Sequence, residues 1–258
     1  MSTVAMTPRA AAGAQSMQEY AALLASLRAL PSSAWSAPTD CTRWTVRDIV
    51  AHVVGAAEES ARPWVQARHY LPALVRDRNR LLVDKVNDAQ LADRRTATPD
   101  ELMAELESLA PKAARGRERL PALLRRMPLP TSQGGLPGDT LGYLCDVIYT
   151  RDIWMHRVDI SRASDTPMAD SPAEREVVTQ VVRDVARAWT AEPFTLELTG
   201  PLPDHAAWRC RRSSSAPGPT SSPSATGRPV SRSRSARTGP ATSGPSPTVH
   251  STSVAESR

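Results

Sequence analysis

The sequence predicts a mainly α-helical bundle followed by a tail that cannot pack. Three observations carry this reading. Leucines recur at helical spacing, two segments open with capping boxes, and large apolar residues vanish from Arg211 onward.

The first helix is expected over residues 15–30, where Tyr20, Leu23, Leu24, Leu27 and Leu30 share a face. Thr45-Val-Arg-Asp48 reads as a capping-box start with Asp in the place of Glu or Gln. The helix it opens should run to about Trp64 or beyond. Pro72 is expected to begin a third helical segment reaching about Leu91. Thr98-Pro99-Asp100-Glu101 supplies an N-cap, a first-turn proline and an acid for a helix holding Leu102, Leu106 and Leu109. A Gly/Pro loop follows from Pro128 to Gly138. Asp139 should then cap a long helix to about Ala163, and Ser171-Pro172-Ala173-Glu174 should open another through Trp189. Phe194-Thr-Leu-Glu-Leu198 alternates as a strand does.

The expected organisation is a flexible start (1–14), a helical bundle (15–190), a remnant of an α/β domain (191–210) and a disordered tail (211–258). The tail lacks Leu, Ile, Met, Phe, Tyr and Trp, and its one acid is Glu256. Such a segment buries too little apolar surface to offset its ordering entropy. Its Ser/Pro/Arg/Gly mixture is also what GC-rich DNA yields when read out of frame, which points to a frameshift near residues 200–212. The run Arg228 to Arg237 has a second reading, an Arg/Ser-rich nucleic-acid arm.

The 258 residues carry a formal net charge of +5, and 40% are hydrophobic, which suits a globular protein with a buried core. No run approaches the roughly 18 apolar residues of a membrane span, and Met1–Ser16 has no apolar leader, so the cytoplasm is the expected compartment. Cys41, Cys145 and Cys210 form no disulfide framework and read as small buried residues. Lys85 and Lys112 are the only lysines, an Arg bias that suits a GC-rich genome. Much of the positive excess lies in the tail. Elsewhere Arg and Asp/Glu interleave as solvated helix faces, which argues against nucleic-acid binding.

The chemistry concentrates in Tyr149, Asp152, His156 and Asp159, spaced 3, 4 and 3 apart and therefore on one helix face. A carboxylate and an imidazole four apart can chelate one cation. His52, flanked by Ile49 and Val53, points to the core from another helix. Two His and one carboxylate would leave a cation an open coordination position. The plainer alternative is a core histidine hydrogen-bonded through both nitrogens. Asp159 either orients the His156 ring or pairs with an Arg. Asp48 serves as the cap partner. Glu58 and Glu59 read as a surface pair, with Glu59, two turns from His52, alternatively a support for that ring or a base; His69 reads as a surface or loop residue. His205 and His250 lie in or near the tail. No GxGxxG, Walker loop or G-x-S-x-G occurs.

Trp44-Thr-Val-Arg-Asp-Ile-Val-Ala-His52 resembles the W-T-V-x-D-[LIV]-x-x-H segment of the mycothiol-dependent maleylpyruvate isomerase family, within the DinB/YfiT-like superfamily. Trp35 and Pro38-Thr-Asp-Cys41 fit the same block. Asp152-Ile-Trp-Met-His156-Arg-Val-Asp159-Ile160 resembles its second signature, E-x-x-x-H-x-x-D-[IV]. The resemblance covers residues 15–200. It implies a DinB/YfiT-like four-helix bundle holding a divalent metal, usually Zn²⁺, through His52, Asp152 and His156, with Asp replacing the usual Glu. It further implies an actinobacterial source, the thiol cofactor mycothiol and a small electrophilic substrate. The implied reaction is thiol addition to an electron-poor double bond, rotation and elimination, with Tyr149 as a hydrogen-bond or proton donor. Members of this type also carry a C-terminal α/β domain, which here is expected to be truncated or garbled. A metal- or ligand-binding bundle without turnover is therefore the alternative, and a basic-tailed nucleic-acid protein the third reading.

Overall fold

Alanine and leucine, both strong helix formers, dominate the first helix, α1 (Arg9–Ala29). Its buried face carries Tyr20, Leu23, Leu24 and Leu27, as the periodicity predicts, although it starts six residues before the expected position. The computed structural model describes residues 6–77, 79–128 and 139–188. A short 3-10 turn (Ser32–Ser36) leads to α2 (Val46–Ala61). The capping box is formed: the Thr45 side chain accepts from the Asp48 N–H, and the Asp48 carboxylate accepts from the Thr45 N–H at 3.0 Å.

Helix α2 ends before Trp64, contrary to expectation. Pro63 pushes Arg62 out of the helical region, to φ −134° and ψ 92°, and opens α3 (Pro63–Val75) from its own first position. Pro72 does not begin a helix. It lies inside α3, whose buried residues Val65, His69 and Ala73 follow one another at four-residue steps and hold the helix together across the missing N–H. The next helix, α4 (Leu82–Asp93), starts ten residues later than Pro72. The Thr98 box opens α5 (Pro99–Glu118), which carries Pro111 without ending. A short α6 (Ala122–Arg125) follows.

The expected long helix is built from α7 (Leu141–Tyr143), a π-helical segment (Leu144–Ile148) and α8 (Tyr149–Ser164). Its N-cap is Thr140 rather than Asp139: the threonine side chain accepts from the Tyr143 N–H, while Asp139 pairs with Arg187 at 2.7 Å. Finally α9 (Glu174–Ala188) is entered through Ser171, whose hydroxyl accepts from the Ala173 N–H. The expected strand at 194–198, the α/β remnant and the 211–258 tail lie outside the described residues, as do Cys210, His205 and His250.

Helices α1, α2, α5 and α8 form a four-helix bundle, with α2 on α5, α1 on α5 and α8, and α4 against the flank of α2. Leu23, Ile49, Val50, Leu102, Leu106 and Ile160 share its core. Gly116 lets α5 pass the Ser60 carbonyl of α2, where a Cβ would lie 1.9 Å from the oxygen. A fully buried ion pair, Glu19 with Arg157, ties α1 to α8, and Ser171 donates to the same carboxylate. Among the described residues no helix is long and apolar enough to cross a membrane.

Candidate metal centre

The register set by the Thr45 cap places His52 on the buried side of α2, beside Ile49 and Val53. Helix α8 brings Asp152 and His156 to the same point. The π-helical segment ends at Ile148, so it leaves the 149–159 spacing helical and its one-face geometry intact. His52 Nε2 lies 3.4 Å from Asp152 Oδ2, and His156 Nε2 lies 3.6 Å from Asp152 Oδ1. One donor atom from each of the three falls within 4.8 Å of the others. Both imidazoles are buried, whereas the Asp152 side chain is 37% exposed, which leaves the cluster open on the carboxylate side.

The far nitrogen of each ring is already committed. His52 Nδ1 lies 2.7 Å from Gln90 Oε1, and His156 Nδ1 lies 3.1 Å from Asp159 Oδ2. An amide oxygen and a carboxylate only accept, so each Nδ1 carries the proton. Each Nε2 faces Asp152 and, once deprotonated, presents a lone pair there. That form is the tautomer of a metal-ligating histidine with an outer partner. Asp159 thus lies against the His156 ring rather than in an Arg pair.

Burial pushes the Asp152 carboxyl up, but His156, His52 and more distantly Arg117 outweigh it and hold the group below the usual carboxylate range. Burial lowers His156, and Asp152 and Asp159 more than reverse this. The centre of the cluster therefore favours positive charge. Two imidazoles and a carboxylate are a donor set that suits Zn²⁺.

The loop before α2 forms the rim. Thr39 N–H donates to the Trp44 carbonyl, and Val46 N–H donates to the Ala37 carbonyl, closing the segment on itself. The Trp44 ring stands 5.0 Å from the His52 ring and 6.2 Å from that of His156. The half-buried Cys41 donates to Asp159 Oδ2 at 3.7 Å. Burial, then Asp159, pushes its thiol up to about 12, so it is a hydrogen-bond donor and not a ready nucleophile.

Tyr149, one turn before Asp152, lies with its ring 4.5 Å from the Arg117 guanidinium and shares a hydrogen bond with Tyr70. Burial pushes its hydroxyl well above the usual phenol range.

Two expectations are corrected. Glu59 is not a surface residue: it is 3% exposed. His69 is not in a loop; it is buried in α3, with Nδ1 2.6 Å from Glu59 Oε1 and Nε2 2.9 Å from Asp93 Oδ2. Glu58, its neighbour, is half-buried against Arg62 and Arg94. The physical reason is the Arg62–Pro63 break, which folds α3 back so that His69 meets α2. Gln90 carries no motif, and only the fold reveals it.

No curated protein and no solved structure matches the chain. The family described as "Mycothiol maleylpyruvate isomerase N-terminal domain" matches residues 16–161, which include α2, the rim loop and the three donors. With the bundle and both sequence signatures in that span, the chain belongs to the mycothiol maleylpyruvate isomerase N-terminal domain family.

Proposed function

We propose that His52, Asp152 and His156 hold one divalent metal, Zn²⁺ by ligand preference, in a mycothiol-dependent enzyme of the maleylpyruvate isomerase type. The observation that carries this reading is the pair of Nε2 atoms facing one carboxylate, with both Nδ1 atoms already hydrogen-bonded to other partners. A bound metal ion would supply Lewis acidity, lowering the pKa of the cofactor thiol. The chain's own residues do the rest. Asp152 supplies charge on the open side, Trp44 forms an apolar wall beside the imidazoles, and Asp159 holds His156 in register. Tyr149 is the proposed hydroxyl donor, kept protonated by its burial. The proposed substrate is a small electron-poor alkene acid that undergoes thiol addition, rotation about the new single bond and elimination. The proposed domain plan is the bundle over 15–190, then a remnant of an α/β domain over 191–210 and the Ser/Pro/Arg-rich tail over 211–258.

The test is metal analysis of purified full chain beside His52→Ala and His156→Ala, followed by turnover of maleylpyruvate with and without mycothiol. About one Zn²⁺ per wild-type chain, lost in both variants, is expected. A metal-free wild-type chain that also takes up no added Zn²⁺ overturns the centre. Metal binding without mycothiol-dependent turnover leaves a binding bundle and overturns the enzyme reading.

A further inference from the structure

Glutamine is mostly an exposed residue, yet Gln90 on α4 is 2% exposed. A buried amide persists when its donors and acceptor find partners. Gln90 does: its Oε1 accepts from His52 Nδ1 at 2.7 Å, and its side chain also bonds Glu59. Glu59 in turn meets His69, and His69 meets Asp93. The order of these groups settles which way the amide points. A carboxylate attracts the NH₂ end, so Glu59 turns the oxygen end toward His52.

Gly55 is a second, independent observation. Glycine weakens a helix interior, and Gly55 stands in the middle of α2. A Cβ there would lie 2.6 Å from both Cβ and Cγ of Gln90. Its absence is what lets the stem of Gln90 cross α2 closely enough to reach His52, one turn away.

We infer that Gln90 is the positioning residue of the metal centre: seated over Gly55 and oriented by Glu59, it fixes His52 as the Nδ1–H tautomer and aims Nε2 at Asp152 and His156. The inference rests on the metal reading above. Without Gln90, the His52 ring can place its proton on either nitrogen and rotate, and the ligand atom is no longer preset.

The experiment titrates the metal-free full chain with Co²⁺, followed by its visible ligand-field spectrum and by helical melting. Gln90→Met keeps the side-chain length but accepts no hydrogen bond. It is expected to weaken Co²⁺ binding roughly 10- to 100-fold. The double variant Q90E/E59Q exchanges carboxylate and amide. The carboxylate now on α4 accepts from His52 and from the amide now on α2, and the oxygen of that amide accepts from His69, so every hydrogen bond is kept. The exchange is expected to restore wild-type affinity and spectrum. If the wild type binds no Co²⁺, the metal centre itself fails and the role of Gln90 with it. If the wild type binds and Q90M binds equally well, the centre stands and the role is overturned. A folded double variant that binds as poorly as Q90M also overturns it, because the acceptor for His52 Nδ1 would then be present without preserving affinity. Should Q90M not melt cooperatively, Gly55→Ala takes its place: its methyl displaces Gln90 while removing no polar group, and unchanged Co²⁺ affinity overturns the inference.

Discussion

The bundle holds two histidine clusters, and they are built oppositely. At His69 both ring nitrogens meet carboxylates, at 2.6 and 2.9 Å, so neither nitrogen is left facing an open position. At His52 and His156 one nitrogen of each ring is capped and the other points at Asp152 across 3.4 and 3.6 Å. Those separations are long for hydrogen bonds and leave room for a shared cation. Burial alone does not distinguish the clusters, since His52, His69 and His156 are all below a tenth exposed. The count of committed nitrogens does.

Measurements on each cluster test this contrast. The largest effect is expected at the closed cluster. His69→Ala leaves Glu59 without its strongest partner and should cost about 3 kcal/mol or more in a denaturant melt, while metal affinity stays near wild type. Loss of metal in that variant would erase the distinction. At the open cluster, free Zn²⁺ at 100 times its Kd should raise stability by about 2.7 kcal/mol, and His156→Ala should remove that gain altogether. Calorimetric scans with and without chelator would show this. Asp159→Ala frees His156 Nδ1 and should weaken metal binding about 10-fold, read by competition against a chromophoric chelator. The smallest effect concerns Glu58, sequence neighbour of Glu59 but part of neither cluster. Burial pushes its carboxyl up, yet hydrogen bonds from Arg94 and Arg62 prevail and hold it below the usual range. Its stabilisation is therefore present at neutral pH and is lost as the pH falls below about 4. Glu58→Gln should be the less stable chain at pH 7 and converge with wild type in acid, and parallel pH curves would contradict the assignment.

Much of this was legible in the sequence because it is local. Both capping boxes join residues three apart, and Asp152, His156 and Asp159 share a face by helix geometry alone. His52 was legible through its apolar flanks. What escaped is relational. Pro72 reads as a helix start, because proline favours the first turn, yet the Val65, His69 and Ala73 face carries the helix through it. His69 and Glu59 look like surface residues until the Arg62–Pro63 break turns α3 against α2. Gln90 and Gly55 have no pattern at all. Their meaning is a 2.6 Å approach between two helices, which no spacing along the chain encodes.

The Glu19–Arg157 pair joins residues 138 positions apart. His52 and Asp152 are themselves 100 positions apart. Closing loops of that size costs chain entropy that is recovered only when α8 docks. The donor set therefore exists only in the finished bundle. An ion held there would act as a latch on the completed chain, stabilising only the state in which all three donors are assembled.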